Sequence, residues 1–539
     1  MRRYLALLLC FLMAATLFPP ARVTAQEGVA KDISGSGLVV ESTGFPSVDS
    51  IFDQKRYDGW KTAEEASITL AHEGGIGSLY LTFGKAYGPY TVSDPASGKS
   101  VTVGQECYVH AYVDLQELFG QALSSVTIRF DGGAAPLYEL TVFGPGKAPD
   151  SVQKWEEPVE GATDLVLFAT HSDDDQLFFA GLLPYYAVER GYQVQVVYLT
   201  NHFNIAPFRI HEMLDGLWAV GIRSYPVFGE YPDFGDTYTL EQAFYRFSQW
   251  GHSQDEMTAW VVEQLRRFKP LVVVGHDFNG EYGHTLHKVY ARLVADAVAV
   301  SADPEAYPES AETYGTWDVP KTYIHLYEEN PIVMNWDVPM ENFDGMTPYQ
   351  VAKELGFPCH SSQQKGWGYF FRGHDTCADI PHYNPSYYGL YRCTVGADVQ
   401  KDDMFENLTS YGEQARIAEE EARKQAEEEA RKQAEEEARK QAEEEARQAS
   451  EEAAREASEE AAREASEEAA RQESEEAALP EQTRGETDYR PADTAPVRER
   501  PPVWLLAIFL ALLATAIVLI ALILRPRGKK KKRKYQKRR

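Results

Sequence analysis

Between residues 26 and 150, apolar residues recur at every second position in short runs separated by Gly, Pro, Asp and Ser. The runs are SLYLTF, YTVSD, SVTVGQ, CYVHAYVDL, SSVTIRF and LYELTVFG. A two-residue period matches the alternation of side chains along a strand with one buried face. Several such runs at this spacing predict an antiparallel β-sandwich.

From residue 160 to 405 the pattern changes to apolar strands that alternate with helical segments. DLVLFAT, YQVQVVYLT and PLVVVGHD have the continuous apolar character of buried strands, and helices are predicted over 175–191, 208–221, 255–268 and 284–300. This alternation predicts an α/β domain with a Rossmann-like parallel sheet covered on both faces. Ligands of such folds bind beyond the carboxyl ends of the strands.

Residues 411–479 repeat an eight-residue unit, EEEARKQA and then EEAAREAS. Eight residues turn a helix through about 800°, so the alanines spiral around it and a heptad coiled coil is disfavoured. Pairs such as Glu451–Arg455 and Glu459–Arg463 place the acid four residues before the base, which stabilises an isolated helix. We therefore expect a single α-helix stalk on the order of 100 Å long. A disordered acidic tract is the alternative, and 480–502 has the composition of a flexible linker.

Both ends of the chain carry export and membrane patterns. Residues 1–25 have two arginines, an apolar run and small residues before a cleavage position, as in a signal peptide. Residues 503–524 are apolar except for Thr515 and are long enough to cross a bilayer as a helix. The tail 525–539 has 11 Lys and Arg and no acid, which predicts a cytoplasmic end. We expect a single-pass cell-membrane protein with extracellular domains.

Composition excludes several classes of protein. A chain of 539 residues with 44% hydrophobic residues and 5 Cys is neither mainly disordered nor a small disulfide scaffold. The net charge of -29, together with export, excludes nucleic acid as a partner. The cysteines have no CxxC spacing, so they are poor metal ligands. One disulfide among Cys359, Cys377 and Cys393 is compatible with an oxidising compartment, with the pair left open.

Two polar clusters follow predicted strands. THSDDD, residues 170–175, comes directly after LVLFA, and HDFNGEYGHTLH, residues 276–287, comes directly after LVVVG. Two histidines and one carboxylate are a common catalytic zinc shell that leaves a position for water. Asp is also favoured at helix N-termini, so the first cluster alone has helix capping as an alternative. For His202, His211 and His276 we favour structural hydrogen bonding.

These clusters resemble the LmbE/PIG-L family of zinc-dependent de-N-acetylases, which act mainly on N-acetylglucosamine conjugates. The resemblance rests on THSDDDQ after a strand, on RIHE (209–212) before Val220-Gly221, and on NGEYGHTLH after a later strand. GMTPYQVAKELGFPCHSSQ, 345–363, continues it. The resemblance implies Zn²⁺ as the cofactor and an amino-sugar glycan or glycoconjugate as the substrate.

The resemblance also assigns a role to each matching residue. It implies His171, Asp174 and His287 as metal ligands and Asp173 as the general base. His284 would stabilise the oxyanion and help to protonate the leaving amine, and Tyr282 and Arg209 would bind the substrate. The chain departs from the family at Ser172, Asp175 and Thr285-Leu286, which stand where the family has Pro, Glu and Pro-Asp. None of these positions is a proposed ligand or the proposed base, but residues next to metal ligands affect the rate, the metal preference and the choice of substrate.

The N-terminal segment resembles the galactose-binding or discoidin type of sandwich through GWKT near its start and its closing LYELTVFGPG. Trp60, Tyr87 and Tyr90 are candidates for stacking on a glycan, with packing as the alternative. The same two alternatives apply to the aromatic-rich stretch 365–391. Two functions follow: a surface-anchored zinc de-N-acetylase of amino-sugar glycans, or a non-catalytic glycan-binding adhesin that retains the fold.

Overall fold

The computed structural model describes residues 28–476, except 36, 57–58 and 202–205. The predicted signal peptide, linker, transmembrane segment and basic tail lie outside these residues, as does His202. Across the part of the chain that is described, no helix combines the length and the apolar character needed to span a membrane.

The N-terminal domain consists of two antiparallel sheets around a shared apolar core. One sheet has the order β1-β3-β8-β5-β6 and the other β2-β9-β4-β7. The strands are β1 Val39–Thr43, β2 Trp60–Lys61, β3 Ser67–Ile76, β4 Ser78–Phe83, β5 Tyr90–Ser93, β6 Ser100–Val103, β7 His110–Asp114, β8 Leu123–Arg129 and β9 Pro136–Phe143. A short helix, α1 (Leu115–Phe119), follows β7. The fourth predicted run begins as a strand only at His110, because Cys107 has a φ of 58°, which interrupts extended backbone.

Two of the candidate stacking aromatics belong to the core of this domain. Tyr87 and Tyr90 are 7% and 1% exposed, and both rings pack against Phe83, at centroid distances of 5.2 and 6.0 Å. Packing is therefore the correct alternative for these two residues, because a buried ring cannot stack on a glycan.

The second domain has a mixed sheet in the order β12-β11-β10-β13-β14-β16-β15. Its strands are β10 Leu165–Ala169, β11 Val194–Thr200, β12 Val227–Tyr231, β13 Val272–Gly275, β14 Lys321–His325, β15 Pro331–Val333 and β16 Tyr387–Cys393. The strands from β12 to β14 in this order are parallel. The expectation of a purely parallel sheet was wrong at one edge, because β16 pairs antiparallel with β14 and with β15. Alternate residues of β10 enter separate apolar clusters, so both faces are covered.

The helices of this domain are α2 Asp174–Leu177, α3 Phe208–Ala219, α4 Leu240–Gln249, α5 Gln254–Phe268, α6 Thr285–Val300, α7 Pro308–Tyr314, α8 Pro348–Val351 and α9 Gln364–Trp367. The helix predicted over 175–191 is instead broken into α2 and a π-helix over Pro184–Glu189. Gly181 lies at the break with a φ of 94°, and a Cβ there would come within 2.6 Å of the Trp336 ring. A close turn against Trp336 therefore replaces the middle of the predicted helix.

Helix α10 covers Tyr411–Glu476, most of the segment in which the eight-residue repeat predicts a helix. Its start is held by Tyr411, whose hydroxyl donates to the Lys269 carbonyl at 2.9 Å and whose amide donates to Asp164 at 2.7 Å. Two of the predicted pairs are replaced, because Arg455 pairs with Glu459 at 3.1 Å and Arg463 with Glu467 at 3.6 Å. The repeat places an acid four residues on either side of each of these arginines, so both partners are within reach. The predicted order, with the acid four residues before the base, is present in Glu420–Lys424 at 2.8 Å and Glu436–Lys440 at 2.7 Å.

No disulfide forms among the described residues. Cys107, Cys359, Cys377 and Cys393 are free thiols. The disulfide that the sequence allows among Cys359, Cys377 and Cys393 is therefore not formed.

Candidate active site

The two polar clusters meet at one edge of the mixed sheet. His171 follows β10 and His276 follows the adjacent parallel strand β13. His287 lies in the first turn of α6 and is fully buried. Because neighbouring parallel strands end at the same edge, residues more than 100 positions apart in the chain are brought together here.

Three of these side chains form a compact set of donor atoms. His171 Nδ1 lies 3.2 Å from Asp174 Oδ2 and 3.1 Å from His287 Nε2, and the remaining distance, His287 Nε2 to Asp174 Oδ2, is 3.3 Å. Ligand atoms of a tetrahedral zinc site with bonds of about 2.0–2.1 Å lie roughly 3.3 Å from one another. The triangle therefore has the size that a divalent ion requires.

Hydrogen bonds on the far side of each ring orient both imidazoles. His287 Nδ1 faces Glu281 Oε2 at 2.7 Å, so Nε2 is the ring nitrogen that faces Asp174 and His171. His171 Nε2 lies 3.3 Å from Asp233 Oδ1, so Nδ1 is the ring nitrogen that faces Asp174 and His287. Carboxylates placed in this way fix the tautomer of metal-binding histidines. Two imidazole nitrogens and a carboxylate oxygen, all within 3.3 Å of one another, can hold one cation between them.

The electrostatics of the site also favour a positive charge at this point. Although burial lowers the pKa of His171, the carboxylates of Asp233 and Asp174 raise it to about 9. Burial raises the pKa of Asp174, but the neighbouring His287 and His171 hold it well below its usual range. A metal ion and a proton compete for such a donor set.

His276 also lies near these atoms, with its Nε2 3.3 Å from Asp174. That nitrogen accepts the backbone N–H of Thr170 at 3.0 Å, and Nδ1 faces Glu281 at 2.8 Å. The lone pair of Nε2 is thus already used in a hydrogen bond. His276 therefore lies next to the three donor atoms without adding a free nitrogen to them.

Asp173 is next to the donor set but is held by a different partner. Its Oδ1 accepts from Nη2 of Arg209, on α3, at 2.7 Å. Burial raises the pKa of Asp173, and Arg209 offsets part of this effect. A buried carboxylate with a raised pKa that borders the pocket is suited to accept a proton during catalysis.

His284 and Tyr282 border the same pocket. The pKa of His284 is lowered to about 3 by burial and by the neighbouring His171 and His287, so the ring is neutral at neutral pH. Its Nδ1 has no hydrogen-bond partner among the described residues. Tyr282 has a φ of 46° and is 39% exposed, in a turn between Gly280 and Gly283. A neutral His284 can donate one hydrogen bond to a ligand.

The pocket has a volume of about 160 Å³ and is lined by His171, Asp173, Asp174, Leu177, Phe178, Arg209, Asp233, Tyr282, His284, Gln363 and Trp367. Every predicted site residue lines it except His287, which lies beneath. Asp233, two residues after β12, was not predicted, because the stretch VFGEYPDF, 227–234, has neither a long apolar run nor a metal-site spacing. His211 lies elsewhere, against the β-sandwich.

Part of the α/β domain is similar in sequence to proteins of a known family. Residues 166–298 match the family model of PIG-L, GlcNAc-PI de-N-acetylase. The 1D-myo-inositol 2-acetamido-2-deoxy-alpha-D-glucopyranoside deacetylase of Rhodococcus erythropolis is 30% identical over 246 residues, which are 38% of this chain and 81% of that protein. The chain belongs to the PIG-L family. The deacetylase of the same name from Streptomyces avermitilis is 24% identical over 292 residues, 45% of this chain and 97% of its own length.

Among solved structures, the N,N'-diacetylchitobiose deacetylase from Pyrococcus horikoshii aligns with 43% of this chain and 84% of its own, at 14% identity and a TM-score of 0.31. The PIG-L match includes His171, Asp173, Asp174, Arg209, Tyr282, His284 and His287.

The residues that depart from the PIG-L pattern do not line the pocket. Leu286 is fully buried in an apolar cluster, and Thr285 donates to the carbonyl of Thr237 at 2.6 Å. Asp175 is 2% exposed, and its burial raises its pKa to about 8. These residues are buried behind the site, and none of them is among the side chains that line the pocket.

Proposed function

We propose that this protein is a zinc-dependent deacetylase that removes N-acetyl groups from N-acetylglucosamine-type glycans or glycoconjugates. The observation that carries the proposal is the triangle of His171, Asp174 and His287 beside the buried carboxylate of Asp173. Glycan binding alone needs no base next to a metal site, which argues against the adhesin. The PIG-L relatives named above, both deacetylases of acetamido sugars, support the same reaction and substrate class.

His171, Asp174 and His287 would hold the ion, which when bound supplies Lewis acidity to the amide carbonyl. Asp173 accepts a proton from the attacking water, and Arg209 keeps this carboxylate oriented. Neutral His284 donates a hydrogen bond to the developing oxyanion. As the carbon–nitrogen bond breaks, the proton on Asp173 passes to the leaving nitrogen, and acetate and a free amine result. The resemblance implies that His284 helps to protonate the leaving amine; we assign this transfer to Asp173, because the lowered pKa of His284 leaves its ring neutral and without a second proton to give.

The aromatic wall of the pocket supports a sugar as the substrate. Trp367, on α9, lies at a centroid distance of 4.7 Å from Tyr282, and Phe178 packs at 6.0 Å from Trp367. Gln363, just before α9, adds an amide to the lining. Aromatic faces with polar groups at their edges suit the apolar faces and the hydroxyls of a pyranose ring.

We also propose that the enzyme is anchored at the cell surface, with the site outside the cell. The proposal rests on the export, transmembrane and basic patterns of residues 1–25 and 503–539. It is supported by the position of Tyr411, which contacts Asp164 at the start of β10, whereas His171 follows the other end of that strand. The long helix therefore begins at the edge of the sheet opposite the pocket.

The proposed reaction is tested on the purified full-length chain by metal analysis and by acetate release from N-acetylglucosamine oligomers. We expect about one zinc ion per chain and stoichiometric release of acetate and amine. Bound zinc without acetate release from any acetamido sugar would contradict the deacetylase. A protein that takes up no metal but binds the oligomers would establish the adhesin instead.

Trp367→Ala is expected to raise KM for these oligomers about tenfold, equivalent to roughly 1.4 kcal/mol, with kcat changed less than about twofold. The reason is that the indole contacts the sugar equally in the ground and transition states. Tyr369→Ala is the matched control, since Tyr369 is 60% exposed, stacks beside Trp367 at 5.9 Å and does not line the pocket. Equal effects of the two variants on KM would refute the assignment of Trp367.

A further inference from the structure

The β-sandwich contacts helix α3 through a buried polar network. His110 of β7 lies with its Nε2 2.7 Å from Nδ1 of His211 on α3, and both side chains are fully buried. On its other side, His110 Nδ1 lies 2.6 Å from Oε1 of Gln153. The contact thus joins the sandwich, the segment that follows it and the α/β domain.

The partners of Gln153 indicate the direction of the hydrogen bonds in this network. The amide nitrogen of Gln153 donates to Asp215 at 2.6 Å, so its Oε1 faces His110 and the indole N–H of Trp155 as an acceptor. His110 therefore carries its proton on Nδ1. Burial holds the pKa of His110 well below its usual value, so the ring is neutral and Nε2 accepts the proton of His211 Nδ1. An oriented network of this kind permits one docking position of α3.

A second anchor lies one turn further along α3. Asp215 pairs with Nη2 of Arg56 at 2.6 Å, and Trp218 donates to the carbonyl of Asp150 at 3.0 Å. Beyond the helix, Tyr225 stacks on Tyr108 at a centroid distance of 4.3 Å. The sandwich and its connection to the α/β domain thus contact α3 from His211 to its C-terminal end.

The same helix carries Arg209 into the pocket. Residues two positions apart in a helix point about 200° from each other, so Arg209 and His211 lie on opposite sides of α3. One side contacts Asp173 and the other contacts the sandwich. The position of the sandwich is therefore transmitted to Asp173 through the rigid first turn of α3.

We propose that the β-sandwich is a fixed part of the catalytic unit, and that His110 is a positioning residue that holds α3 so that Arg209 reaches Asp173. The proposal rests on the proposed deacetylase function. It assigns the sandwich a role in catalysis that does not depend on glycan binding by the sandwich itself.

The test compares His110→Leu with His110→Gln in the full-length protein. Leucine removes the acceptor for His211, whereas the glutamine oxygen keeps one. We expect His110→Leu to lower kcat/KM about tenfold, glutamine to restore most of it, and the leucine effect to vanish in an Arg209→Met background, since both changes then act on the same contact. Val126→Ala, in an apolar cluster of the sandwich separate from the cluster that contains the apolar residues of α3, is the control for a loss of stability alone.

Hydrogen–deuterium exchange over 208–219 reports the position of α3 without reference to activity. We expect faster exchange in His110→Leu than in the wild type or in Val126→Ala. Unchanged exchange, additive losses in the double variant or an equal loss of activity in Val126→Ala would each overturn the proposal. A wild-type protein that releases no acetate would instead refute the proposed function, while exchange would still decide whether His110 positions α3.

Discussion

Asp173→Asn is expected to lower kcat for acetate release by about 10³-fold while the metal content stays at one ion per chain. Asparagine keeps the shape of the side chain and the contact with Arg209, but it cannot accept a proton from water. Because Asp173 is next to the donor triangle without being part of it, its loss should leave the metal in place. Single-turnover acetate release, together with metal analysis, measures both quantities on one sample.

Asp175→Asn is the matched control for this variant. Asp175 is a neighbouring buried carboxyl whose pKa is raised to about 8, so it is mostly protonated at neutral pH. An amide resembles a protonated carboxyl in shape and charge, and we expect a loss of less than about tenfold. Full activity in Asp173→Asn, or an equal loss in the two variants, would show that Asp173 is not the base.

His287→Ala is expected to reduce zinc from about one ion per chain to less than roughly a tenth, and to abolish acetate release. The change removes the nitrogen that completes the triangle with His171 and Asp174. It also leaves the buried Glu281 without one of its imidazole partners, so the melting temperature is measured in parallel. Equilibrium dialysis against buffered zinc gives the affinity directly.

His276→Gln distinguishes between two neighbouring histidines that both approach Asp174. Because the Nε2 lone pair of His276 is occupied by the Thr170 amide, this variant should still bind about one ion at saturating zinc, with affinity weakened roughly 10–100-fold. If His276→Gln lost its metal and His287→Ala retained it, the ligand assignment would be reversed.

Several site residues were predictable because the relevant signal is local. His171 and Asp174 are three residues apart directly after a strand, and His284 and His287 have the same spacing at the start of a helix. That the two strand ends lie together follows from the rule for parallel sheets. Arg209 was also predicted for the pocket, but its pairing with Asp173 was not, because a motif does not tell whether an arginine binds substrate or a catalytic residue.

Other features depend on contacts between distant parts of the chain. Gln363 and Trp367 reach the pocket from a segment that follows β15, and Asp233 reaches it from the end of β12. The strand β16 has an apolar pattern that fits either direction of pairing, so its antiparallel position at the sheet edge had no local signal. Likewise, no spacing connects His110 with His211, which are 101 positions apart.

The sequence by itself determined the order of the folded segments, the type of the local elements and the identity of the groups that can do chemistry, because periodicity and motif spacing are properties of neighbouring residues. Only the tertiary structure decided which nitrogen of each histidine faces Asp174, which carboxylate pairs with Arg209 and how the sandwich meets α3. These depend on distances of about 3 Å between atoms that only the packing of the whole domain brings together.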